Sequence, residues 1–72
     1  MEELLKAVHS RGFSHARMAD ALGISLSSMN NKLHGRTDFT AREAFELYRR
    51  IADFDEYCGR SPPEFDALFD EV

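Results

Sequence analysis

The chain has 72 residues, 43% of them apolar, one cysteine and a formal net charge of −4. That length makes one domain, which buries only about 60% of the surface its unfolded chain exposes. A lone Cys58 excludes an internal disulfide and fits a reducing compartment, Met1-Glu2-Glu3 lacks the positive and apolar regions of a signal peptide, and no apolar run approaches the roughly 18 residues of a membrane span.

The acidic total hides a polarised chain. Residues 1–50 hold eight Lys/Arg against six Asp/Glu, whereas residues 51–72 hold Arg60 alone against seven acids. From His9 to Thr37 there are four basic residues, all three histidines and a single acid, Asp20. Only this first part suits an anionic partner.

Hydrophobic spacing predicts five helices and no strand, an all-α chain. The first helix covers 2–10, with Leu4, Leu5 and Val8 at helical spacing, Glu2 and Lys6 paired at i, i+4, and Gly12 as its stop. The next three helices share one opening. Phe13-Ser14 precedes Met18, Ile24-Ser25 precedes Met29, and Phe39-Thr40 precedes Ala44. In each, a hydroxyl can cap the free N–H groups while the flanking apolar pair staples the first turn. Glu43 adds a capping box to Thr40. These starts predict helices at 15–22, 26–34 and from 41 onward.

Only Gly23-Ile24-Ser25 separates the second helix from the third, and so short a glycine turn matches a helix-turn-helix. The fourth helix is long. Ala44, Leu47, Tyr48, Ile51, Phe54 and Cys58 keep helical spacing, which extends it to 58, with a break near Asp53 as the alternative. Gly59 and Pro62 stop it. Ser61-Pro62-Pro63-Glu64 then offers an N-cap, a first-turn proline and a capping-box glutamate, predicting a fifth helix at 62–70.

The third helix is built from weak helix formers. Ser27, Ser28, Asn30 and Asn31 each cost roughly 0.4–0.7 kcal/mol relative to alanine. Met29 and Leu33 face inward, and Ser27, Asn30 and Asn31 occupy the opposite arc with Lys32 and His34 beside it. Solvated helix faces usually carry Glu and Lys. Short neutral side chains that both donate and accept suit close approach to base edges in a major groove, where asparagine can pair bidentately with adenine and serine can contact any base.

Ala19 in the second helix, Leu22-Gly23-Ile24-Ser25 at the turn, Met29 in the third helix and Leu33-His34-Gly35-Arg36 at its end resemble the helix-turn-helix of the phage repressor and Cro family, also called the xenobiotic-response-element family. The run "LHGRTDFT" is similar to that of small phage and prophage regulators. The likeness covers about residues 3–56. It departs at Lys32, where many members have a buried aliphatic residue, and at His34, where asparagine is more usual. The first departure leaves the rotation of the third helix open.

The resemblance implies a compact five-helix lambda-repressor-like domain that binds double-stranded DNA sequence-specifically, with Leu26, Ser27, Ser28, Asn30 and Asn31 toward the bases. Leu26 has two orientations, into the core with Met29 and Leu33 or outward onto a thymine methyl. Phosphate contacts fall to Ser14, His15, Arg17, Ser25, Lys32, His34, Arg36 and Arg42, and these set register without carrying sequence information. Arg42 could equally pair with Glu46. A palindromic operator and a homodimer go with the family, in a bacterial cytosol or nucleoid. Phe54, Tyr57, Phe65, Leu68 and Phe69 are the candidate dimer interface, with completion of the core as the other role for the last helix. The acidic end is also a candidate surface for a protein partner, as in an antitoxin-like module. His9, His15, His34 and Cys58 lack metal-site spacing, and no catalytic motif or cofactor loop is present, so neither an enzyme, a metal nor a cofactor is expected.

Overall fold

The three hydroxyl caps form as the sequence dictates. The structure, a computed structural model describing residues 2–69, is all-α, with α1 Glu2–Ser10, α2 His15–Leu22, α3 Leu26–Leu33, α4 Ala41–Tyr57 and α5 Phe65–Phe69, and no strand among the described residues. Ser14 accepts from the Arg17 amide at 3.4 Å and Ser25 from the Ser28 amide at 3.0 Å. Thr40 and Glu43 close the full box, with the Glu43 amide donating to Thr40 Oγ1 at 3.1 Å and the Thr40 amide to Glu43 Oε1 at 2.9 Å. Each cap satisfies donors that a helix start otherwise leaves free.

One core joins the helices. Leu4, Val8, Met29, Leu33, Ala44, Leu47 and Ile51 are fully buried, with Met18, Ala19 and Phe39 nearly so. α2 packs on both α3 and α4, and α1 lies against α5. The radius of gyration is 11.2 Å, as expected for a compact chain of this length, about 11 Å. Gly23 sits at φ +71°, and this left-handed turn lets its amide and that of Ile24 donate back to Asp20 and Ala19 carbonyls, so α2 ends and α3 begins within three residues.

Four expectations need correcting. The fifth helix begins at Phe65 rather than at 62, because Pro63 forces the preceding Pro62 out of the helical region; Asp70, its expected end, lies outside the described residues. The segment 61–64 is held instead by Tyr48, whose hydroxyl donates to the Pro63 carbonyl at 2.7 Å. α3 ends at Leu33 with His34 as its cap, and α4 at Tyr57 with Cys58 as its cap and exposed. Leu68 and Phe69, offered as interface residues, are 6% and 2% exposed and belong to the core, where Phe69 meets Phe39 edge to face. Of the remaining interface candidates, Phe54 and Phe65 are half-buried, and Tyr57 is 92% exposed.

The sequence reading missed one buried charge. Asp55 is 1% exposed, on the same stripe of α4 as Leu47 and Ile51. Arg11 grips it with two bonds, Nε to Oδ1 at 2.8 Å and Nη2 to Oδ2 at 2.6 Å, and Arg60 adds a third at 3.1 Å. Arg11 Nη1 also donates to the Ala7 carbonyl at 2.8 Å. The Arg11 hydrogen bonds hold the Asp55 carboxyl below the usual aspartate range against the opposing effect of burial, and Arg60 adds to them. This cluster ties the end of α1 to the end of α4.

Candidate nucleic-acid interface

The geometry of α3 follows from its anchor. Met29 and Leu33 are fully buried. At about 100° per residue, Asn31 then points roughly opposite their mean direction, flanked by Ser27 and Ser28. Ser27 is exposed, and Ser28 and Asn31 are half-buried. Leu26 and Asn30 lie nearer the core on one side, and Lys32 on the other. Leu26, at the first turn of the helix, is 48% exposed and stays outside the buried core that Met29 and Leu33 join. No acidic residue lies on the helix.

Both asparagines are held by side chains from outside α3. His15 Nδ1 lies 2.8 Å from Asn30 Oδ1, so Nδ1 carries the hydrogen and donates. The other ring nitrogen, Nε2, lies 3.2 Å from His9 Nε2, with the two rings nearly parallel at 10°. Arg36 Nη1 donates to Asn31 Oδ1 at 3.3 Å, and its backbone amide donates to the Asn31 carbonyl at 2.9 Å. Gly35, at φ +78°, makes the turn that brings Arg36 back to Asn31.

The expected phosphate contacts divide into three groups. Arg17, His34, Arg36 and Arg42 are exposed, as are Ser14 and Ser25, whose hydroxyls cap α2 and α3. Arg42 forms no ion pair among the described residues, since Glu46 turns to Arg49 at 3.8 Å instead. It lines a groove with Ala21, Leu22, Thr40, Glu43 and Glu46. Arg17 borders an open groove with Ser14, Phe13, Arg50, Asp53 and Phe54.

His15 and Lys32 do not fit the expected role. Both His15 ring nitrogens are engaged within the protein, so the ring is turned to Asn30 and His9 rather than toward solvent. Lys32 is withdrawn from the surface. Its ammonium lies 2.9 Å from Glu43 Oε1 and donates to the Asp38 carbonyl at 2.9 Å, with its side chain 14% exposed. Burial alone would raise the Glu43 pKa, but the Thr40 amide and the Lys32 ammonium more than offset it and hold the carboxyl low. Lys32 thus joins α3 to the start of α4. Sequence spacing missed this pair because Lys32 and Glu43 sit eleven apart on different helices, and it missed the His9–His15–Asn30 chain for the same reason.

Among the described residues, no group of three or more His, Cys, Asp or Glu could hold a metal ion, and no helix is long and apolar enough to cross a membrane. Comparison with known proteins returned no match to a family model, a curated protein or a solved structure.

Proposed function

We propose that this chain is a sequence-specific double-stranded DNA-binding regulator of the phage-repressor and Cro kind, with α2 and α3 as its helix-turn-helix and α3 as the element that enters the major groove. The observation that carries the reading is the outward face of α3. Ser27, Ser28 and Asn31 are displayed there on a helix with no acid, anchored from behind by Met29 and Leu33. Short polar side chains let the helix backbone approach base edges closely. Arg17, Arg36 and Arg42 supply positive charge for phosphates, and the capped start of α2 offers free N–H groups and the positive end of a helix dipole. The acidic residues concentrate in 51–72, which disfavours docking by that end and orients the domain.

A homodimer on a palindromic site in a bacterial cytosol completes the reading. With Leu68 and Phe69 in the core, the apolar surface left for a partner is Phe45, 61% exposed and stacked on Phe65 at 5.1 Å, together with Tyr57. The exposed Phe45 and Tyr57, together with the acids concentrated in 51–72, favour a second reading, a protein-interaction module that docks a basic partner. Fluorescence anisotropy with random-sequence duplexes, followed by selection of preferred sites, tests the first reading. Binding that weakens with salt and converges on a preferred site supports it. A folded protein that binds no duplex at low ionic strength refutes it.

A further inference from the structure

We infer that the reading face of α3 is polarised toward donors at Asn31, so that Asn31 favours guanine over adenine at the base pair it meets. The inference rests on the DNA-binding reading above and names the base chemistry of that same surface.

Asparagine pairs bidentately with adenine when Oδ1 accepts from the N6 amino group and Nδ2 donates to N7. Asn31, the asparagine of the outward face, has its Oδ1 facing Arg36 Nη1 at 3.3 Å. That contact turns the amide oxygen toward a protein donor and leaves the Nδ2 hydrogens for a ligand. Asn30 lies nearer the core, where it faces His15 Nδ1 at 2.8 Å and joins α3 to α2.

A carbonyl oxygen keeps a second lone pair, but that does not restore adenine. The guanidinium beside Asn31 Oδ1 is itself an array of donors. An adenine N6 amino group approaching that oxygen meets it donor to donor. Guanine places O6 at that edge, next to N7, and both accept. The Asn31 Nδ2 and the free guanidinium hydrogens then face two acceptors together.

The arrangement is built into the backbone. The left-handed Gly35 returns the chain so that the Arg36 amide is bonded to the Asn31 carbonyl at 2.9 Å, which fixes where the Arg36 side chain starts. Arg36 is thus a specificity-setting residue as well as a cation, and the adenine contact expected from asparagine composition gives way to guanine.

The test is selection from randomised duplexes by the full chain, its Arg36→Ala variant and its His15→Ala variant, with circular dichroism confirming that each is folded. The unaltered chain should enrich guanine at the pair met by Asn31. Arg36→Ala frees Asn31 Oδ1, so that position should move from guanine toward adenine by on the order of ten-fold, beyond any general loss of affinity. His15→Ala, which touches the core-side Asn30, should leave that position at guanine. Adenine there in the unaltered chain overturns the inference, as does guanine retained in Arg36→Ala or the same move to adenine in His15→Ala, while DNA binding itself stands. Folded protein that selects no duplex overturns the DNA-binding reading and this inference with it.

Discussion

Replacing Lys32 by methionine should leave the salt dependence of the proposed DNA binding unchanged, although composition alone counts it among the cations of the proposed interface. Its ammonium is already matched by Glu43 at 2.9 Å and the Asp38 carbonyl at 2.9 Å. The exposed arginines of the proposed interface are Arg17, Arg36 and Arg42. Each phosphate neutralised contributes about 0.9 to the slope of log K against log salt, so these three predict a slope near −2.7 for one protomer and about −5.4 for a dimer. Between 50 and 200 mM salt a dimer would lose on the order of a thousand-fold in affinity. Arg42→Ala should flatten the dimer slope by about 1.8, whereas Lys32→Met should not move it. Stability should show the reverse. Losing a charged hydrogen-bonded partner costs about 1–3 kcal/mol, and for a chain of this length each kcal/mol lowers Tm by about 7 °C. Anisotropy titrations over a salt series, run well below the Tm of each variant, read the slope. A Lys32→Met slope flattened as much as that of Arg42→Ala would refute the assignment of Lys32 to the α3–α4 junction.

Three further outcomes follow from local geometry. A Cβ built on Gly23 meets nothing within 4 Å, so Gly23→Ala should cost only the left-handed backbone strain, about 1–2 kcal/mol by thermal unfolding, and Gly23→Asn should cost less. Because Arg11 and Arg60 lower the Asp55 pKa, the stabilisation from its charge is complete above the ordinary aspartate value of 3.8 and is lost as pH falls below it; the Tm gap between the unaltered chain and Asp55→Asn should therefore narrow from pH 7 to pH 2. Leu68→Ala should destabilise the fold by about 2–5 kcal/mol yet leave self-association of the folded molecules unchanged in sedimentation, because Leu68 is a core residue at 6% exposure.

What sequence revealed and what it hid divide along a physical line. Local rules gave the element starts at Ser14, Ser25 and Thr40, because a cap and its staple act within five residues. Periodicity identified Met29, Leu33, Leu47 and Ile51 as core, all fully buried. Contacts between helices follow no such rule. Arg11 and Asp55 are 44 residues apart, and the bond between them places an acid on a buried stripe that periodicity reserves for apolar residues. An aspartate at i+4 from Ile51 was the one local sign of it. At Pro62-Pro63 two local rules conflicted. The preference for proline in a first helical turn pointed to 62, but the restriction on a residue preceding proline prevailed, and the helix waited until Phe65.

The candidate site shows why composition and geometry answer different questions. Weak helix formers at Ser27, Ser28, Asn30 and Asn31 leave α3 dependent on its surroundings. The Ser25 cap, the buried Met29 and Leu33, and the Lys32 link to α4 supply that support from three directions. The helix is therefore held largely from behind and from its ends, and its outward residues can be short and polar. Asn31 on that face is also bonded to Arg36, and Asn30, nearer the core, to His15. Composition offers asparagine as a group that donates and accepts equally. Once its Oδ1 is engaged by Arg36, the Asn31 amide is no longer symmetric, and under the proposed function it meets a base edge with its donors. A residue beyond the end of α3 thereby sets what a central residue of the helix can offer a ligand.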